Sequence, residues 1–423
     1  MSLASAGRDA DAPRFAHVNG RPYALPRRPT AVICYDGCDP AYVAAARAAG
    51  VVPHLSRMMD EGFSAIALAA MPTFTNPNNV SIVCGAPPRV HGISGNYYFD
   101  AASGREVMMV DAQGMRAPTI LAALAGLGAR VAAVTAKDKL LKALAKDLDG
   151  IAFSAERADS ATLAGNGIED ATRLVGRSTP APYHPDLSLF VLDAGVRLVA
   201  GGRVDVAYLS LSDLVQHSHA PGTEPANTFM AEVDQRVGAL LAAGATVGIV
   251  ADHGMSDMAN DDGSARVAYL ADRLDAAFGA GRTRVICPIT DPFVRHHGAL
   301  GGFVRIHVTD PALALGDVHT AIAATPGVAE ALAADEACAR FDLPPDREGD
   351  VVAIAAPGFA LGAHAADHDL SALAGVRLRS HGGLSERQVP FILSHPLDAD
   401  YRARAAGPLY NYDIFDFALN GVM

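Results

Sequence analysis

The chain contains no tryptophan, and Phe, Tyr and Trp together make up only 6% of its 423 residues. A site that holds a nucleobase in an aromatic slot draws on residues this sequence has few of, which favours a small ligand. Charge is also scarce, at 19% Asp, Glu, Lys and Arg. The 34 basic and 46 acidic residues leave a net charge of 34 − 46 = −12, a field that repels polyanions and excludes nucleic acid as an expected partner. No apolar run reaches the ~20 residues that span a bilayer. The first thirty residues carry Arg8, Arg14, Arg21, Arg27 and Arg28 and no continuous apolar stretch, so neither a signal peptide nor a membrane segment is expected and the chain is assigned to the cytoplasm. The five cysteines, Cys34, Cys38, Cys84, Cys287 and Cys338, are odd in number and lack any repeated C-x-x-C spacing, which argues against a disulfide framework and against a cysteine zinc site.

What is present is apolar, half of all residues, enough for a large core and two or three domains at ~150 residues each. Short apolar runs read as buried strands at 30–35, 65–70, 130–135, 204–211 and 245–251. Between them lie helical stretches at 40–49, 119–127, 137–148, 187–200 and 228–243. This alternation predicts a doubly wound α/β core, a mostly parallel sheet covered by helices on both faces. After about Met258 the rhythm changes. Strands are expected at 302–308 and 350–355, and short helices at 317–324 and 328–338, an inserted α+β cap spanning 259–375. The core is then 1–258 and 376–423, with a last strand at 389–393.

In sheets of this kind polar groups collect beyond the carboxyl ends of the strands. Asp36 follows one strand, Ser212 and Asp213 another, and Asp252 and His253 a third. Asp213-x-x-x-His217 can bring a carboxylate and an imidazole to one ion from a single helical turn, and this spacing favours His217 over His219. With His381 in the loop SHGGLSER, six hard or borderline ligands are available, three for each of two zinc-like ions, with Mn2+ or Fe2+ as alternatives. Each acid alone also reads as a helix cap, and each histidine as an ordinary buried one. Thr75, in PTFTNPNN before the apolar run 80–84, is expected at a helix N-terminus, where backbone N–H groups favour a phosphoryl group; a capping threonine is the plain alternative.

The ordered set Asp36, Thr75 in TFTNPNN followed by GAPPRVHGI, Asp213 with His217, Asp252-His253-Gly254 and the late His381 resembles the nucleotide pyrophosphatase/phosphodiesterase branch of the alkaline phosphatase superfamily. Within that branch, DGCDPAYV, HGISGNYYFD, EVMM, VTAKDKL, SDLVQHSHAPGTE and HHGALGG resemble the members that cleave the carbon–phosphorus bond of phosphonoacetate. The resemblance implies an alkaline phosphatase-like core and hydrolysis to acetate and phosphate through a phosphothreonine. It implies one zinc on Asp213, His217 and His381, a second on Asp36, Asp252 and His253, and Thr75 as nucleophile. It also implies Lys137 and Lys139 on the substrate carboxylate, where a cation stabilises the charge that develops as the bond breaks.

A solvated helix over KDKLLKALAK is the competing account of the two lysines. Asn96 is a candidate for a phosphonyl oxygen, or a structural loop residue. A phosphodiesterase or phosphomonoesterase remains the alternative activity, because metals and nucleophile do not fix the leaving group; a non-catalytic metal- or phosphate-binding protein is the more remote one. The sequence leaves open a homodimer and the roles of Arg295, His296 and His297.

Overall fold

The apolar runs become a seven-stranded sheet in a computed structural model that describes residues 14–100, 103–108, 114–289, 297–373 and 375–423. Its strands are β1 (Thr30–Cys34), β2 (Phe63–Leu68), β3 (Val131–Thr135), β4 (Ile151–Ser154), β5 (Val206–Ser210) and β6 (Thr246–Val250). The seventh, Gln388–Leu393, is reached after the chain has built a second sheet. That second sheet comprises β7 (Thr283–Ile286), β8 (Phe303–Val308), β9 (Val328–Ala333) and β10 (Val351–Ala355), which makes Gln388–Leu393 strand β11. The large sheet has the order β2-β11-β6-β1-β5-β3-β4. The five strands from β6 to β4 are parallel, while β11 runs antiparallel to both β6 and β2. Strands β1, β3, β5 and β6 are buried along their whole length, as parallel strands covered on both faces must be.

Pro40–Ala48, Pro53–Glu61, Asp186–Ala200 and Glu224–Ala242 pack together on one face. Thr75–Cys84, Ile120–Gly126, Asp138–Leu144 and the C-terminal turns of 411–421 cover the other. No helix among the described residues is long and apolar enough to cross a membrane.

The second sheet is antiparallel, in the order β7-β8-β10-β9. Period-two alternation divides β8 between two environments. Val304 and Ile306 join Leu270, Leu274, Val318 and Ile322 in one apolar cluster. Phe303 joins Ile289, Leu332, Phe341 and Ile354, together with Met71 and Phe74 from the larger sheet's side, in another.

Two expectations change. Residues 328–338 are not one helix: Val328–Ala333 is a strand, and the helix is Ala334–Phe341. Alanine, glutamate and leucine favour a helix locally, but pairing with β10 supplies a hydrogen-bond ladder and buries Leu332, and this tertiary gain wins. The run at 65–70 is shifted to Phe63–Leu68 and forms an edge strand antiparallel to β11, with Leu68 bridging to Tyr410.

Candidate active site

Strand register gathers the polar residues. Thr135, Ser210, Cys34 and Val250 lie in one row across β3, β5, β1 and β6. Two residues beyond each of them stand Lys137, Ser212, Asp36 and Asp252. The common edge anticipated from strand-end acids is therefore a consequence of pairing, and it also brings in a lysine.

Asp213 caps the short helix Leu214–Ser218, and His217 lies one turn on, its Nε2 3.0 Å from Asp213 Oδ2. Asp36 Oδ1 is 3.3 Å and Asp252 Oδ2 3.7 Å from His253 Nε2. The ring of His253 stacks on that of His381, centroids 3.5 Å apart at 7°, and His381 Nε2 is 3.8 Å from Asp213 Oδ2. All six residues are buried. Asp36, Asp252 and His253 form one group of converging ligand atoms, as the resemblance pairs them. The other group is Asp213, His381 and His253; His217 joins through Asp213 rather than as its third member.

The imidazoles are held alike. Nδ1 of His217, His253 and His381 sits 2.7–2.8 Å from the carbonyl oxygens of Arg379, Gly254 and Thr73. A backbone carbonyl accepts, so Nδ1 carries the proton and Nε2 faces the acids, the tautomer a metal requires. Gly382, after His381, has φ +123° and a position whose Cβ would lie 2.3 Å from Phe74 Cε1, so a side chain there would push the histidine loop off the helix that carries Thr75.

Thr75 opens the helix Thr75–Cys84, with Phe74 as its N-cap. Its Oγ1 lies 3.3 Å from His253 Nε2. Asn78 Nδ2 donates to the carbonyls of Ala70, Pro72 and Phe74, and its Oδ1 accepts from Ala70 N–H and from Asn411. Asn79 is a hub that sequence reasoning missed. Its Nδ2 donates to Asp252 Oδ2 and to the Thr75 carbonyl, and its Oδ1 accepts from the Tyr208 and Ser210 hydroxyls. One amide thus fixes a carboxylate of the cluster relative to the threonine. The run TNPNN contained Asn79, but a residue type alone does not reveal a four-way junction.

Lys137 caps the helix Asp138–Leu144, shorter than the 137–148 expected, and its Nζ lies 2.9 Å from Asp36 Oδ2 and 2.8 Å from Asp213 Oδ1. Lys139 and Asn96 line the same cleft, of about 410 Å³, as Thr75, Asp213, His297 and His381. Glu156, Arg157, Tyr183 and Leu187 also line it and carried no motif. His297 lies beside His217, ring centroids 5.2 Å apart; Arg295 and His296 lie outside the described residues. Asp39 caps Pro40–Ala48 and Asp257 pairs with Arg377.

The electrostatics call for cations. Burial, and then the neighbouring Asp36, push the Asp252 carboxyl well above its ordinary value. Burial opposes ionisation of Asp213, but Lys137 and His217 outweigh it and hold that carboxyl well below its ordinary range. Burial lowers His253 while Asp252 and Asp36 more than offset it, raising it to about 9. Burial and the neighbouring His253 and His217 keep His381 well below its usual value. Asp36 Oδ1 receives no well-formed hydrogen bond. Three buried carboxylates with three imidazoles oriented by their backbone bonds fit divalent ions, which would satisfy the acids without protons.

A prediction follows for the metal-free protein. His253, raised to about 9, is charged there at about pH 7.5, so metal uptake should release at least one proton and tighten as pH rises. Calorimetry in buffers of different ionisation enthalpy measures the release; uptake with none contradicts the assignment. Because His253 is raised from 6.5 to about 9, its contribution to folding is complete below 6.5 and lost as pH climbs through about 9. Asp252 acts in the same direction, so the metal-free melting temperature should fall across that window.

The chain matches the family model described as type I phosphodiesterase/nucleotide pyrophosphatase over residues 30–382. It is similar to crystal structures of phosphonoacetate hydrolase from Sinorhizobium meliloti in complex with phosphonoacetate and with phosphonoformate. Each has 44% identity and TM-score 0.91, with 96% of this chain and 99% of that one covered. A murine ectonucleotide pyrophosphatase/phosphodiesterase 5 shares the fold at TM-score 0.61 and 17% identity, with 92% of this chain and 94% of that one covered. The central sheet flanked by helices is thus the alkaline phosphatase-like fold. The chain belongs to the type I phosphodiesterase/nucleotide pyrophosphatase family of the alkaline phosphatase superfamily, a group of metal-dependent enzymes.

Proposed function

We propose that this enzyme hydrolyses phosphonoacetate to acetate and phosphate, with Thr75 as nucleophile. The observation that carries the reading is the 44% identity to phosphonoacetate hydrolase across 96% of the chain. It is supported by a cleft in which Thr75, Asn96, Lys137 and Lys139 meet beside two groups of ligand atoms.

In this reading Asp213, His217 and His381 would hold one ion and Asp36, Asp252 and His253 the other, both zinc. Bound there, the ions would neutralise phosphonyl oxygens and lower the pKa of the Thr75 hydroxyl. Thr75 gives up its hydroxyl proton to solvent, Oγ1 attacks phosphorus to form the new P–O bond, and the P–C bond breaks with its electron pair leaving on the methylene carbon as the enolate of acetate. A solvent proton completes acetate. Water then attacks the phosphothreonine, releasing phosphate and restoring the hydroxyl.

The helix N-terminus at Thr75 and the Asn96 amide suit the phosphonyl oxygens. Lys137 has three N–H donors, of which Asp36 and Asp213 take two; the third suits the substrate carboxylate, together with Lys139. The same reading takes 259–375 as a cap inserted into a core of 1–258 and 376–423, and places the protein in the cytoplasm, with a homodimer allowed.

Phosphate release by the zinc-loaded protein tests it, with phosphonoacetate, 2-aminoethylphosphonate and bis-p-nitrophenyl phosphate compared at equal concentration. Turnover of phosphonoacetate alone is expected. Preference for the diester would overturn the substrate while leaving the nucleophile in place.

A further inference from the structure

Arg305 is the largest side chain that the described residues bury completely, and its partner Glu348 is equally inaccessible. Burying a guanidinium is unfavourable unless its donors are used, and apolar residues of similar volume often serve packing as well or better. What an apolar residue lacks is the fork. Arg305 Nε donates to Glu348 Oε2 at 2.6 Å and Nη2 to Oε1 at 2.7 Å. Nη2 also donates to the Ser94 carbonyl at 2.7 Å, and Nη1 to the Tyr97 carbonyl at 3.5 Å. The guanidinium lies over the Phe303 ring, 5.4 Å from its centroid.

Ser94 and Tyr97 bracket Asn96. The Asn96 N–H donates to the Pro288 carbonyl at 2.7 Å. A Cβ on Gly95 would lie 2.7 Å from Pro288 Cβ and 3.3 Å from Arg305 Nη1, so the segment is clamped between the end of β7 and the arginine, and only glycine fits. The Asn96 side chain lines the cleft, and among the described residues its buried Oδ1 has no hydrogen-bond partner. The Asn96 N–H and the Ser94 and Tyr97 carbonyls on either side of it are thus held, while its side-chain amide faces the cleft.

We infer that the Arg305–Glu348 pair is a positioning device that holds the segment 94–97 so that the Asn96 Nδ2 donor is aimed at the phosphoryl group bound beside Thr75. This rests on the site proposed above but not on its leaving group. Any tetrahedral phosphorus oxyanion, inorganic phosphate included, should feel the pair. Glu348 fixes the guanidinium plane, Arg305 fixes two carbonyls, and those carbonyls fix Asn96.

The test measures the affinity of the zinc-loaded protein for inorganic phosphate by calorimetry. The variants are Arg305→Lys, the charge-neutral double variant Arg305→Met/Glu348→Leu, Asn96→Ala, and Asn96→Ala combined with Arg305→Lys. Arg305→Lys keeps the charge but loses the fork, and phosphate affinity is expected to fall ~10-fold with zinc stoichiometry unchanged. The double variant should regain a melting temperature near the parent's and still bind phosphate ~10-fold more weakly, because it restores packing but not the two carbonyl bonds.

In the Asn96→Ala background, Arg305→Lys should change phosphate affinity less than ~2-fold, since the pair acts through that amide. An independent ~10-fold loss there, unchanged affinity in Arg305→Lys, or no phosphate binding by the parent overturns the inference. If phosphonoacetate is not cleaved while the phosphate pattern holds, the substrate reading falls and this one stands.

Discussion

Replacing Thr75 with alanine is expected to lower kcat for phosphonoacetate by at least ~10³-fold, with zinc content and melting temperature close to the parent's. Removing an attacking nucleophile costs orders of magnitude, because what remains is only the electrostatic and positioning contribution of the site. Stability should hold because Thr75 caps nothing: Phe74 is the N-cap, with no side-chain hydrogen bond there, and among the described residues Oγ1 hydrogen-bonds to the His253 ring nitrogen alone. Quench-flow with the parent should also show a burst of acetate ahead of phosphate if phosphothreonine breakdown is slow, and alanine should abolish it. Residual turnover within tenfold of the parent would mean that water attacks directly, and Thr75 would lose its role.

The second large effect is expected at Lys137. Lys137→Met removes a cation 2.9 Å from Asp36 and 2.8 Å from Asp213. Without metal, two buried carboxylates lose their counter-charge, and destabilisation of roughly 3 kcal/mol is expected. With zinc bound, the ions supply that charge, so most of the loss of melting temperature should disappear. Catalysis should not recover in the same way. In the loaded enzyme, kcat/KM for phosphonoacetate is expected to drop ~10²-fold or more, since Lys139 alone is left to meet the carboxylate on which charge develops. An aryl phosphate, whose leaving group has no carboxylate, should lose less than ~10-fold. Equal losses on both substrates would show that Lys137 serves the phosphoryl end and would remove the specificity argument.

The parts of the fold that could be read in advance were those where one physical cause dominates. TAVIC, VAYLS and TVGIV are buried along their whole length, so an uninterrupted apolar run sufficed, and the acids two or three residues beyond them declared the edge. The i,i+4 spacing of Asp213 and His217 likewise survived as one helical turn. The strand at Val328–Ala333 was hidden because its alanines and glutamate are helix formers and only its neighbour β10 makes it extended. Asn79 and Arg305 were hidden for a different reason. Their work lies in which atoms they reach, such as Asp252 Oδ2 for Asn79 and the Ser94 carbonyl for Arg305, and those partners lie far away along the chain. The grouping of Asp213 and His381 with His253 also depends on ring stacking that spacing does not encode.

Phe74 sits in the apolar cluster formed with Phe303, Leu332 and Ile354 of the smaller sheet, while the next residue in the chain is Thr75. A lid that swung clear of the site would have to peel Phe74 out of that cluster and drag the threonine with it. The smaller sheet is therefore better regarded as a foundation for the helix it abuts than as a door. Traffic of small anions in and out must then use the cleft mouth beside Tyr183 and Arg157, and adaptation to a bulkier phosphonate would proceed by remodelling that rim, with the sheet left where it is.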